Sequence, residues 1–156
     1  MRPVRTKKLK QSFMYAIAGL RYAYATQLNM RIHIGAACAA ALLLLLLPLS
    51  ASEVLFVSAA VFTVIICELA NTALESVVDL ASPNLHPLAR IAKDTAAAAV
   101  MVSAFFAVTV GLAVFLPAIL EILKNGYQLS PSIPSLAAAI VIFTMAAIAG
   151  AANKPR

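Results

Sequence analysis

Acidic residues are scarce in this chain, six among 156 against twelve lysines and arginines. Such a surplus of positive charge would raise nucleic acid as a partner, yet no aromatic-interleaved basic stretch or nucleic-acid motif accompanies it, and nucleic acid is excluded as the expected partner. Cysteine is nearly absent. Cys38 and Cys67 both fall in apolar runs, where a thiol serves as a small packing residue, so neither a disulfide framework nor a zinc spacing organises the chain. The five glycines are scattered, which excludes a Walker-type phosphate loop, and no soluble-kinase signature, internal repeat or long linker is present. What the chain has in excess is apolar side chains, 63% of all residues, far more than a soluble domain of this size can bury. It requires lipid as a solvent.

Four segments are expected to cross the bilayer as helices: 32–49, 54–80, 95–120 and 136–152, the last Ala-rich and near the lower limit of about 17 residues for a crossing. Upstream, over about 8–29, Phe13, Ile17, Leu20 and Tyr24 recur at helical spacing behind Lys7, Lys8 and Lys10, the pattern of an amphipathic helix on the membrane surface. The fold class is therefore an all-α integral membrane protein. Seven basic residues (Arg2, Arg5, Lys7, Lys8, Lys10, Arg21, Arg31) precede the first apolar run, and Lys/Arg-rich segments stay in the cytoplasm. With the N-terminus inside and every span retained, eleven of the twelve basic residues are cytoplasmic, leaving Lys124 outside. Ser50-Ala51-Ser52 resembles a signal-cleavage region, but the long basic segment and this charge count favour retention of the first span.

Placement of the acids is the informative feature. Glu53 and Glu121 sit at outer span ends, whereas Glu68, Glu75, Asp79 and Asp94 gather at the inner end of the second span and the start of the third. At 100° per residue, Glu68, Asn71, Glu75 and Asp79 fall at about 0°, 300°, 340° and 20°, one narrow polar stripe on one helix. Counted from Val54, Glu68 lies about 21 Å along a helix crossing a ~30 Å core, within the inner leaflet. Carboxylates at that depth cost several kcal/mol unless paired, protonated or bound to a cation. A buried polar network neutralised by Lys93 or Arg90 would explain one of them; three on one stripe with an amide between favour a metal or phosphate site. The segment from Ala81 to Asp94 is read as a polar, turn-forming cytoplasmic loop with Arg90 and Lys93 as cations for phosphates.

Glu68-Leu-Ala-Asn71-Thr-Ala-Leu-Glu75-Ser-Val-Val-Asp79, followed by His86-Pro-Leu-Ala-Arg90-Ile-Ala-Lys93-Asp94, resembles the signature of the prokaryotic diacylglycerol kinase and undecaprenol kinase family. Gly19-Leu-Arg21 and Asn29-Met-Arg31-Ile-His33 extend the resemblance over roughly Lys8 to Leu120. It implies a homotrimer of three-span subunits in the bacterial cytoplasmic membrane, with shared cytoplasmic-side sites that transfer the γ-phosphate of MgATP to a lipid alcohol. On the matching positions Glu68 would be the general base, Glu75 a ligand of Mg2+ and ATP, and Asn71 and Asp79 would shape the site. Tyr15, Asn84, Leu85, His86, Lys93 and Asp94 would contact the nucleotide. Where the family commonly carries a second metal-binding glutamate, this chain has Gln27, an uncharged metal ligand.

The core would occupy 1–123, and 124–156, with the fourth C-terminal span, would form an extension whose role the resemblance does not supply. The His86-Pro-Leu-Ala and Asn29 to His33 stretches look more like the undecaprenol branch, with diacylglycerol as the alternative substrate. A non-catalytic scaffold or transporter subunit is the competing class; transport would spread polar residues through the midplane of several spans, and here they cluster at one end.

Overall fold

The computed structural model describes residues 4–82, 86–126 and 131–151. Five helices follow in order: α1 Val4–Thr26, α2 Leu28–Leu46, α3 Ala51–Ala81, α4 Pro87–Asn125 and α5 Ile133–Gly150. No strand occurs among the described residues, and α2 to α5 are each long and apolar enough to cross a membrane. The protein is a multi-pass membrane protein with an additional N-terminal helix. Large apolar side chains such as Leu55, Phe56, Ile66, Phe105 and Leu112 face outward from α3 and α4, as lipid-facing positions do.

Local chemistry moves several boundaries from those expected. The N-terminal helix stops at Thr26 rather than near residue 29, because Gln27 takes an extended backbone (φ −104°, ψ 122°) and α2 begins at once with Leu28. Arg31 stabilises this break: its Nε donates to the Tyr24 carbonyl at 3.0 Å and its Nη2 to Ala25 at 2.7 Å, satisfying carbonyls that the end of α1 leaves without intrahelical donors. The start of α3 moves back to Ala51 because Ser50 and Glu53 form a capping box, an arrangement worth about 1 kcal/mol.

The largest correction concerns the segment from Ala81 to Asp94, which was expected to be a loop. From Pro87 onward it is the first two turns of α4. Proline suits the first helical position, where its missing N–H has no intrahelical role, and the His86 Nδ1 accepts the Leu88 amide at 3.2 Å as a cap. Arg90, Lys93 and Asp94 therefore stand on a helix. At its other end α4 continues past residue 120, through Pro117, to Asn125, where Gly126 at φ 81° ends it. The last helix occupies 133–150 rather than 136–152, its start fixed by the Ser132 cap on the Ser135 amide.

Packing forms two layers along the bundle. In one, Ala41, Leu44, Val57, Ala118 and Ile142 join all four long helices beside the α2–α3 turn. In the other, Ala23 of α1, Met30 and Ile34 of α2 and Ile65 of α3 pack together, with Met145 and Ala146 of α5 against them. The second layer lies beneath the polar stripe. The α3–α4 pair is the most extensive, and α5 packs chiefly on α2.

Candidate functional site

Four polar side chains line one face of α3 above the second packing layer. Glu68 is only 1% exposed, and neither carboxylate oxygen has a hydrogen-bond partner among the described residues. The backbone amide of Met30, in the first turn of α2, stands close to this carboxylate. Because the first amides of a helix lack intrahelical acceptors and carry its positive dipole end, that turn is a favourable neighbour for an anion.

One turn further along, Asn71 is buried, and its Nδ2 donates to Glu75 Oε1 at 3.0 Å while its Oδ1 is left without a partner. The other Glu75 oxygen, Oε2, accepts from Gln27 Nε2 at 2.9 Å. One carboxylate is thus gripped by two amides, one from its own helix and one from the α1–α2 junction 48 residues away. At the open end of the stripe Lys93 donates to Asp79 Oδ1, tying the first turns of α4 to the last turns of α3. Arg90 and Asp94 pair at 3.7 Å on the exposed face of α4, a geometry worth a few tenths of a kcal/mol, so both groups remain accessible to a ligand.

Of the residues singled out in the sequence, Gln27, Asn71 and Glu75 are joined by hydrogen bonds, Glu68 lies one helical turn below them, and Asp79 with Lys93 stands one turn above. Asp94 follows Lys93 on α4. Tyr15 is not part of this network: it is 73% exposed and lies about 18 Å back along α1 from Gln27. His86 is exposed and caps α4 through Nδ1. Asn84 and Leu85 lie outside the described residues. Sequence reasoning missed the parts played by Arg31 and Arg21, which entered it as topological charges and as members of the stretches that extend the resemblance. Arg31 clamps the α1–α2 break, and Arg21 Nε donates to the Ile148 carbonyl of α5 at 3.1 Å. Basic residues placed close to helix ends were the available signal.

Among the described residues no three His, Cys, Asp or Glu side chains converge as a protein-made metal cage. The donors present are hard oxygens: Glu75, the unpartnered Asn71 Oδ1 and the unpartnered Glu68 carboxylate. That set suits Mg2+, which keeps several waters and takes one or two carboxylates alongside phosphate oxygens. Gln27 presents its nitrogen to Glu75, so it would have to turn its oxygen inward to ligate a cation.

The prokaryotic diacylglycerol kinase family matches residues 14–115, which takes in the second half of α1, all of α2 and α3 and most of α4. A diacylglycerol kinase of Synechocystis sp. is 48% identical over 113 residues, 72% of this chain and 65% of that protein. The undecaprenol kinase of Bacillus subtilis is 38% identical over 107 residues, 69% of this chain and 87% of its own length. A diacylglycerol kinase of Haemophilus influenzae is 30% identical over 95 residues, covering 61% of this chain and 80% of the relative. This chain therefore spans just under two thirds of the Synechocystis protein and more of the other two. No solved structure matches it significantly. A match over most of the chain, whose range spans Glu68 to Asp94, establishes that this protein belongs to the prokaryotic diacylglycerol kinase family of lipid kinases.

Proposed function

We propose that this protein transfers the γ-phosphate of ATP to the hydroxyl of a membrane lipid at the cytoplasmic face of a bacterial membrane. The observation that carries the reading is the pair of carboxylates on α3: Glu68 buried and unpartnered among the described residues, Glu75 held by two amides one to two turns away. Counted from Ala51, Glu68 lies about 26 Å along α3 and Glu75 about 36 Å, on either side of a ~30 Å hydrocarbon boundary. A lipid alcohol with its tail in the bilayer offers its hydroxyl at that boundary, and a nucleotide reaches it from water.

In this reading Lys93 and Arg90 attract the phosphates. Glu75, with Asn71 Oδ1, would hold Mg2+, which supplies neutralisation of the charge on the phosphate oxygens. Glu68 accepts the proton of the lipid hydroxyl as its oxygen bonds to the γ-phosphorus; the bond from that phosphorus to the β–γ bridging oxygen breaks, and ADP departs with the electron pair. Undecaprenol is the substrate that the His86-Pro-Leu-Ala and Asn29 to His33 stretches favour. Diacylglycerol is the second reading, supported by the 48% identity to a protein of that name. Incubation of the purified protein with labelled ATP and each lipid, followed by chromatographic separation of the lipid products, tests both. Label in neither lipid phosphate would overturn the kinase reading.

Gln27 provides a separate test. In Gln27→Glu a second carboxylate would face Glu75 at hydrogen-bond distance, a repulsion that a bound cation relieves. The expected result is half-maximal turnover at lower Mg2+, together with a melting temperature that falls without Mg2+ and recovers with it. Identical magnesium titrations for both forms would remove Gln27 from the metal site. The homotrimer with shared sites is part of the same proposal and is read by the mass of the protein in a native membrane mimetic.

A further inference from the structure

The family match ends at residue 115, so α5 lies outside it. Even so, α5 is built into both packing layers: Ile142 is a fully buried member of the first, and Met145 and Ala146 pack against the Ala23, Met30, Ile34 and Ile65 cluster of the second. Ala23 precedes the Gln27 break by one turn of α1, and Met30 follows it in the first turn of α2, so α5 supports the chain on both sides of the break. The rest of α1 lies chiefly on α5 as well, and more lightly on α2 and α3.

The bond from Arg21 has a physical reason. Among the described residues the last backbone hydrogen bond of α5 runs from the Ala151 amide to Ala147, which places the Ile148 carbonyl in the final turn, at the negative dipole end of the helix. A guanidinium donor at 3.1 Å suits that end. Arg31 of α2 makes a comparable link to the far end of α1, so α1 is held by a guanidinium from α2 at its last turn and by its own Arg21 on α5 one turn earlier.

We propose that α5 is a positioning clamp for α1: through Arg21–Ile148 and the Met145 and Ala146 packing it holds the α1–α2 junction where Gln27 meets Glu75. The consequence for nucleotide handling rests on the kinase reading above, whereas the clamp does not. Spin labels at Ser12 of α1 and Val77 of α3, both exposed, are introduced into the full chain with Cys38 and Cys67 replaced by alanine, and the labelled protein is diluted with unlabelled protein. A single narrow distance distribution is expected by pulsed electron resonance, without ATP or lipid. In Arg21→Gln combined with Met145→Ala the distribution should broaden, and the KM for MgATP should rise several-fold with little change in kcat. Arg21→Lys, which keeps a cationic donor, should stay near the parent. Should the double variant fail to fold, Arg21→Gln alone gives the same reading. An unchanged narrow distribution in the folded variant would overturn the clamp. Absence of kinase activity in the parent would overturn the function and leave the distance test standing.

Discussion

Glu68→Gln is expected to lower lipid phosphorylation by about two to four orders of magnitude, the range that a positioned general base contributes, while the protein keeps its melting temperature or gains slightly. The two halves of this result come from one fact. Among the described residues Glu68 is buried without a hydrogen bond or ion pair, and a carboxylate so placed is costly to fold around, whereas an amide of nearly the same shape carries no charge into the apolar layer. A purely structural residue would behave in the opposite way, with stability lost first and activity following it. Glu75 and Lys93, which meet the nucleotide in this reading, are untouched by the change, so MgATP affinity should stay within a few-fold of the parent. Turnover close to normal in a folded Glu68→Gln protein would remove Glu68 as the base.

Glu75→Ala should act on a different quantity. It deletes the carboxylate that receives the Gln27 and Asn71 amides and, in the proposed site, the one charged group fixed in place for Mg2+. Two donors then lose their acceptor, at a cost of about 1–3 kcal/mol for each one left buried and unsatisfied. The expected outcome is a drop in MgATP affinity of at least about tenfold, which is 1.4 kcal/mol, accompanied by a lower melting temperature. Glu75→Gln separates the two contributions, because it preserves most of the volume and one acceptor while removing the charge. Calorimetry showing parent-like MgATP binding in Glu75→Gln would rule out a metal-ligand role, whatever happens to stability.

The α3 stripe was legible in the sequence for a simple reason. In a helix whose other polar groups past its first turn are small hydroxyls, the carboxylates and amide at positions 68, 71, 75 and 79 have one common face, and helical periodicity alone identifies it. The four spans were legible from length and composition. The meeting of Gln27 with Glu75 was suggested only by resemblance to the family, since no local rule says which face of α3 the end of α1 will touch. The start of α4 was misjudged because Pro87 and His86 were weighed as turn residues, when a proline preceded by a side-chain acceptor opens a helix equally well. Packing of α5 on α1 was not legible at all. An Ala-rich helix carries no mark of its partner, and the Arg21 bond ends on a backbone carbonyl, which every residue type presents alike.

The length of α4 sets the height at which the protein floats. Its 39 residues rise about 58 Å, nearly twice the ~30 Å thickness of a hydrocarbon core. Arg90, Lys93 and Asp94 keep the first two turns in water, and the Lys93 link to Asp79 makes α3 share that level. At the opposite end the turns from Leu116 to Leu120 are uncharged and can sink into the bilayer or emerge from it at little cost. In the proposed orientation a thicker or thinner membrane would therefore be absorbed at the far end, like slack in a mooring line, and the carboxylates would stay level with the lipid headgroups.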